Sequence, residues 1–135
     1  EGVVGDRVGT SGQWWAGPVS WLGSCRMSGF KAAAGMYGGR VKVGMGEGAE
    51  AAISLAGNIT CPVLGIFGND DKNPTPEDVD DYEAALQEAG VDYRFHRYDG
   101  AGHGFQDFCD KDRYRADACD DAWTKQLAFF EAHLM

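Results

Sequence analysis

Residues 63–79, V-L-G-I-F-G-N-D-D-K-N-P-T-P-E-D-V, and residues 93–105, Y-R-F-H-R-Y-D-G-A-G-H-G-F, decide how this chain is read. The first belongs to a continuous apolar run, Pro62 to Phe67, of the sort buried on both faces of a parallel sheet. The run stops at Gly68-Asn69-Asp70-Asp71, in a turn closed by Asn73-Pro74. Thr75-Pro76-Glu77-Asp78 then offers an N-cap, a proline at the first helical position and an acid at the third. Val79, Tyr82, Leu86 and Ala89 give that helix an apolar stripe, and Gly90 ends it. In the second stretch Val91, Tyr93 and Phe95 alternate with Asp92, Arg94 and His96, which predicts a half-exposed strand near a sheet edge. That strand runs into a glycine-rich loop holding His103.

The rest of the chain repeats the alternation. The short apolar run Val3, Val4 and Val8 leads into Gly9, with Arg7–Thr10 as the end of a first strand, and Pro18 to Met27 reads as a helix with Pro18 at its first position. Phe30 to Tyr37 is a small-residue strand ending at Gly38-Gly39, Gly44, Gly46 and Gly48 mark a loop, and Ala49 to Ala56 a short helix. A last helix starts near Ala116, with Ala122, Trp123, Leu127, Phe129, Phe130 and Leu134 expected to face the core. The order predicts an α/β fold: a mostly parallel sheet of about four strands with flanking helices. Sites in such folds lie outside the carboxyl ends of the strands.

With 135 residues, the chain has the length of one domain. A formal net charge of −9 argues against nucleic acid and anionic membrane surfaces as partners, since both require a basic face. Cys25, Cys61, Cys109 and Cys119 show no C-x-x-C spacing and form no zinc pattern with the three histidines, so no metal or cofactor is expected. No apolar stretch reaches membrane-spanning length and no signal-peptide pattern occurs, which makes a cytoplasmic location the expectation. The chain opens on Glu1 rather than Met, which leaves room for an upstream piece.

Asp71 and His103 follow two successive strands, and successive strands are usually neighbours. A carboxylate that accepts from one imidazole nitrogen fixes the tautomer and leaves the other nitrogen as a general base. The plainer alternative is a turn-capping Asp and an ordinary loop His. His96 is expected to face outward or onto a covering helix, His133 lies in a last helical turn, and Ser20 and Ser24 read as exposed helix positions.

The two long stretches, with F-K-A-A-A-G-M-Y-G-G (30–39) and the A-W-x-x-x-L-x-F-F-x-x-H-L ending (122–134), resemble the dienelactone hydrolase family of α/β-hydrolases. The resemblance covers essentially the whole chain but only the C-terminal half of the usual domain, so residues 1–135 are read as a single truncated α/β-hydrolase-like domain. It implies a carboxylic ester or lactone hydrolase with a nucleophile–His–Asp triad and no metal. Asp71 matches the triad acid, His103 the triad histidine, and Asp70 is one residue off register. A half-sheet leaves an unpaired edge, and exposed edges invite pairing with another chain. A homodimer completing the sheet is therefore expected.

The family's G-x-C-x-G or G-x-S-x-G elbow aligns with Gly12-Gln13-Trp14-Trp15-Ala16-Gly17, which puts Trp14 in the nucleophile's place. A Trp at the tight, positive-φ elbow position is strained by about 1–3 kcal/mol, so a relaxed turn is expected. Ser11 at the strand end, pointing toward His103, is the first candidate nucleophile and Cys25 the alternative; water activated directly, or a nucleophile lent by a second subunit, are further routes. Trp14, Trp15 and Trp21 are expected to cluster near the site, with Trp14 and Trp15 as an apolar wall for an acyl group. Where enzymes acting on dienelactones place an arginine for the substrate carboxylate, this chain has Gln106-Asp107, so a small, neutral, short-chain ester fits better. The rival reading is a catalytically inactive dimerising or ligand-binding remnant of the same fold.

Overall fold

Along residues 5–135, which the computed structural model describes, the elements are β1 (Val8–Gln13), α1 (Ala16–Arg26), β2 (Phe30–Met36), a 3-10 helix (Ala52–Asn58), β3 (Val63–Gly68), α2 (Pro76–Glu88), β4 (Tyr93–Tyr98) and α3 (Ala116–Leu134). Val3 and Val4 lie outside the described residues. The four strands form one sheet in the order β1-β2-β3-β4, and every neighbouring pair is parallel. The predicted fold class is therefore the observed one, with β1 and β4 at the edges.

Strand alternation divides the core in two. Ala33, Val63 and Phe67 point to the face covered by α1, α2 and the 3-10 helix, where Trp21, Cys25, Val79, Tyr82 and Leu86 meet them. Ala32, Ala34, Met36, Leu64 and Ile66 point to the other face, under Ala122 and Phe129 of α3. β3 is buried along its whole length, as its unbroken apolar run requires. β4 splits its residues: Tyr93 and Phe95 join the first layer, while Tyr98 joins the second.

α2 begins as its sequence dictates. Thr75 Oγ1 accepts from Asp78 N at 3.1 Å, and Asp78 Oδ2 accepts from Thr75 N at 3.0 Å, closing a capping box over Pro76. α1 starts at Ala16, two residues before the expected Pro18, because a first-turn proline gives up only an N–H that has no helical acceptor. The short helix expected over 49–56 is a 3-10 helix displaced to Ala52–Asn58.

Three burial expectations are corrected. Ser20 and Ser24 are buried, not exposed; Ser24 Oγ donates to Trp21 O at 2.7 Å, which lets a hydroxyl sit on the inner face of α1. Trp123 and Leu127 face outward, 42% and 64% exposed, since the inner stripe of α3 is Cys119, Ala122, Gln126 and Phe129. Trp21 is fully buried among Phe67 and Tyr82 on the sheet face opposite Tyr37 and Phe105, so the three tryptophans form no single cluster.

Candidate active site

β3 and β4 end side by side, Gly68 opposite Tyr98, and the loops beyond them carry Asp71 and His103. The loops are stitched together by Asp70 N donating to Ala101 O at 3.0 Å and Asn69 N to Tyr98 O at 2.9 Å. His103 Nδ1 lies 2.9 Å from Asp71 Oδ2. The Asp71 side chain is 1% exposed and the His103 ring 35%, so a sunken carboxylate holds a ring that still opens to solvent. Asp71 Oδ1 accepts from Asn73 N at 2.8 Å, which fixes the carboxylate plane. Asp70, the off-register candidate, is exposed and makes no such contact.

Between β1 and α1 the chain turns at Trp14 with φ at 56°, and Trp14 N donates to Met36 O at 3.1 Å. The relaxed turn expected here is not observed: the tight positive-φ elbow is kept, with an indole on it. Its geometry depends on Gly12, where a Cβ would stand 1.9 Å from the Ala16 carbonyl oxygen. Any side chain at that position would have to displace backbone. Trp14 packs edge-on to His103 and to Tyr37, with centroids 5.0 and 5.7 Å apart. Gly104, at φ 74°, makes room: a Cβ there would come within 2.6 Å of the indole.

The other named residues scatter. Ser11 Oγ accepts from Gln126 Nε2 of α3 at 3.0 Å, so its hydroxyl is engaged with the helix rather than with His103. Cys25 is buried in the α1–α2 layer, and burial pushes its thiol up to about 11. A protonated core thiol is a poor nucleophile. Trp15 is 69% exposed, beside Trp14 at the mouth of a recess of about 210 Å³ that also touches Pro18, Met45, Asn73 and His103. His96 faces α3, and His133 packs edge-on to Phe129 with ring centroids 4.8 Å apart.

A second recess of about 390 Å³ adjoins His103 and is lined by charges the sequence did not single out, Arg113 and Arg115. The Arg113 guanidinium lies 5.2 Å from the Trp14 ring centroid. Arg115 donates to Gly100 O and Asp112 O, both at 2.8 Å, and so anchors the loop after β4. Asp107 accepts from Cys109 N at 3.0 Å in its own turn and lines neither recess. These arginines approach through the irregular 106–115 segment, which has no periodicity from which to read their direction. Among the described residues, no three or more His, Cys, Asp or Glu side chains converge as a metal site would, and no helix is long and apolar enough to cross a membrane.

An acid after the third strand, a histidine after the fourth and a strand–turn–helix elbow at the first define an α/β-hydrolase framework. Residues 1–134 match the model of the dienelactone hydrolase family, and the chain belongs to that family. A Synechocystis protein provisionally named carboxymethylenebutenolidase is 32% identical over 133 residues, which are 98% of this chain and 53% of the relative. A Klebsiella pneumoniae structure, provisionally titled a dienelactone hydrolase, superposes with a TM-score of 0.82 at 28% identity, over 90% of this chain and 50% of that one. A dienelactone hydrolase-like promiscuous phosphotriesterase from metagenomic libraries shares the fold at 21% identity and a TM-score of 0.81, over 98% of this chain and 55% of that one. The chain thus spans about half the length of the relatives it matches.

Proposed function

We propose that this chain hydrolyses small, neutral, short-chain carboxylic esters, with Asp71 and His103 as orienting acid and general base acting on water. The observation that carries the reading is the 2.9 Å contact between a buried Asp71 carboxylate and a solvent-open His103 ring. With Nδ1–H donating to Asp71, Nε2 keeps its lone pair and takes a proton from water as the oxygen attacks the ester carbonyl. The imidazolium, stabilised by Asp71, then returns the proton to the departing alkoxide. The Trp15 N–H, at the start of α1 and without an acceptor among the described residues, is the donor best disposed to hold the oxyanion.

Support for a neutral substrate comes from the charges around the larger recess. Asp70, Asp71 and Asp112 are matched there by Lys72, Arg113 and Arg115. The recess beside Trp14 and Trp15 suits a short acyl group. The four cysteines are free, which suits a reducing compartment such as the cytoplasm. The open edge of β1 supports the homodimer reading.

The test is p-nitrophenyl acetate and butyrate hydrolysis by the protein and by His103→Ala. Equal rates at background overturn the hydrolase reading. They would favour the second one, a ligand-binding remnant, for which the specific observation is Trp14 on the elbow against His103.

A further inference from the structure

The face of β4 turned toward α3 holds basic groups that the site above does not use. Arg94 and His96 alternate on that strand, and Lys125 comes from the helix. Together they rim a recess of about 220 Å³ whose apolar floor is Leu64, Ala128 and Phe129. Lys125 also meets Asp121, which accepts from Tyr98 Oη at 2.8 Å, and the ammonium lies 5.2 Å from the Tyr98 ring. Arg94 has no ion pair among the described residues, in a chain whose formal charge is −9. The His96 ring makes no hydrogen bond among the described residues.

We propose that this recess between β4 and α3 binds a small organic anion, a carboxylate on a short apolar body. The guanidinium offers a planar fork matched to two carboxylate oxygens, and the ammonium adds a point charge. The Leu64–Ala128–Phe129 floor takes the apolar part. One acid, Asp121, stands against Arg94 and Lys125 here, so the local balance is positive without a ligand. Burial first, then the Lys125 and Arg94 charges, push the His96 pKa below its ordinary 6.5, while Asp121 pushes it up. A bound anion relieves the two cationic effects.

The test is a titration of the protein with benzoate, and separately with inorganic phosphate, followed through the His96 ring resonances by NMR. Benzoate is expected to shift His96 saturably and to leave His103 unmoved, with phosphate weaker by about tenfold. Arg94→Gln is expected to weaken benzoate by about tenfold, and Ala128→Leu, which fills the floor without touching a charge, to abolish the shift. His103→Ala is expected to leave the titration unchanged, which separates this recess from the proposed ester site. No saturable His96 shift, an undiminished one in Arg94→Gln or Ala128→Leu, or phosphate binding as tightly as benzoate overturns the proposal.

Discussion

Trp14 holds its indole edge-on to the His103 imidazole, centroids 5.0 Å apart and planes at 86°, at the turn between β1 and α1. The turn keeps φ at 56° although a bulky residue in that region costs about 1–3 kcal/mol. The strain is held by what surrounds it: the Trp14 N to Met36 O bond, the bare Gly12 and Gly104 backbones, and Arg113 over the ring. The packing around this turn therefore holds a bulky side chain in the left-handed region.

Trp14→Cys should raise ester hydrolysis by about tenfold or more, because it places a thiol on an intact elbow beside an oriented imidazole. The checks are p-nitrophenyl acetate turnover and stoichiometric iodoacetamide labelling of residue 14. A folded variant with the parent's rate would show that the elbow and His103 do not cooperate.

His103→Ala should lower the parent rate by about 100-fold, and Asp71→Asn should lower it too, since the amide misorients the ring. Ser11→Ala should leave the rate unchanged, because the Ser11 hydroxyl is spent on Gln126. A rate that falls with Ser11→Ala would restore the serine as nucleophile.

Iodoacetamide on the native protein should label the exposed Cys109 first and spare Cys25, whose buried thiol stays protonated at neutral pH. Peptide mapping before and after denaturation measures the difference, and early labelling of Cys25 would contradict its place in the core.

Thr75→Ala should destabilise the fold by about 1 kcal/mol, read from urea midpoints. Its partner Asp78 pays a desolvation penalty that raises its pKa, but bonds from Thr75 and the Lys42 ammonium outweigh it and hold the pKa below the ordinary 3.8. A depressed folded pKa means this contribution is present above pH 3.8 and lost as the pH falls through the folded value. Asp78→Asn should therefore flatten the acid limb of stability.

Sedimentation at micromolar concentration should give a dimer mass, as the open edge of β1 leads us to propose. A monomer would remove that proposal.

The sheet was legible because its strands announce themselves: Val63–Phe67 by unbroken apolarity, Tyr93–His96 by alternation, and α2 by its cap. Asp71 and His103 were legible as strand-end residues, and the 2.9 Å contact follows from β3 and β4 being neighbours. The positive φ of Trp14 was not, since propensity favours a relaxed turn and tertiary packing decides otherwise. Leu127 and Trp123 misled because apolarity alone does not say which side of α3 meets the sheet; the small Ala122 and the amide of Gln126 lie on the side that does. Arg113 reaches Trp14 through an irregular loop, which leaves no repeating pattern to read.

The strand order has a bearing on how the chain acquires its shape in time. β2, β3 and β4 each pair with the strand made just before them, so this part of the sheet can grow in the direction of synthesis without waiting for distant segments. α3 is the exception. Gln126 reaches back to Ser11, 115 residues away, and Phe130 and Leu134 press on Gly9. That side of β1 is thus covered only once α3, more than a hundred residues further along the chain, is in place, and until then it stays open to any other apolar surface within reach.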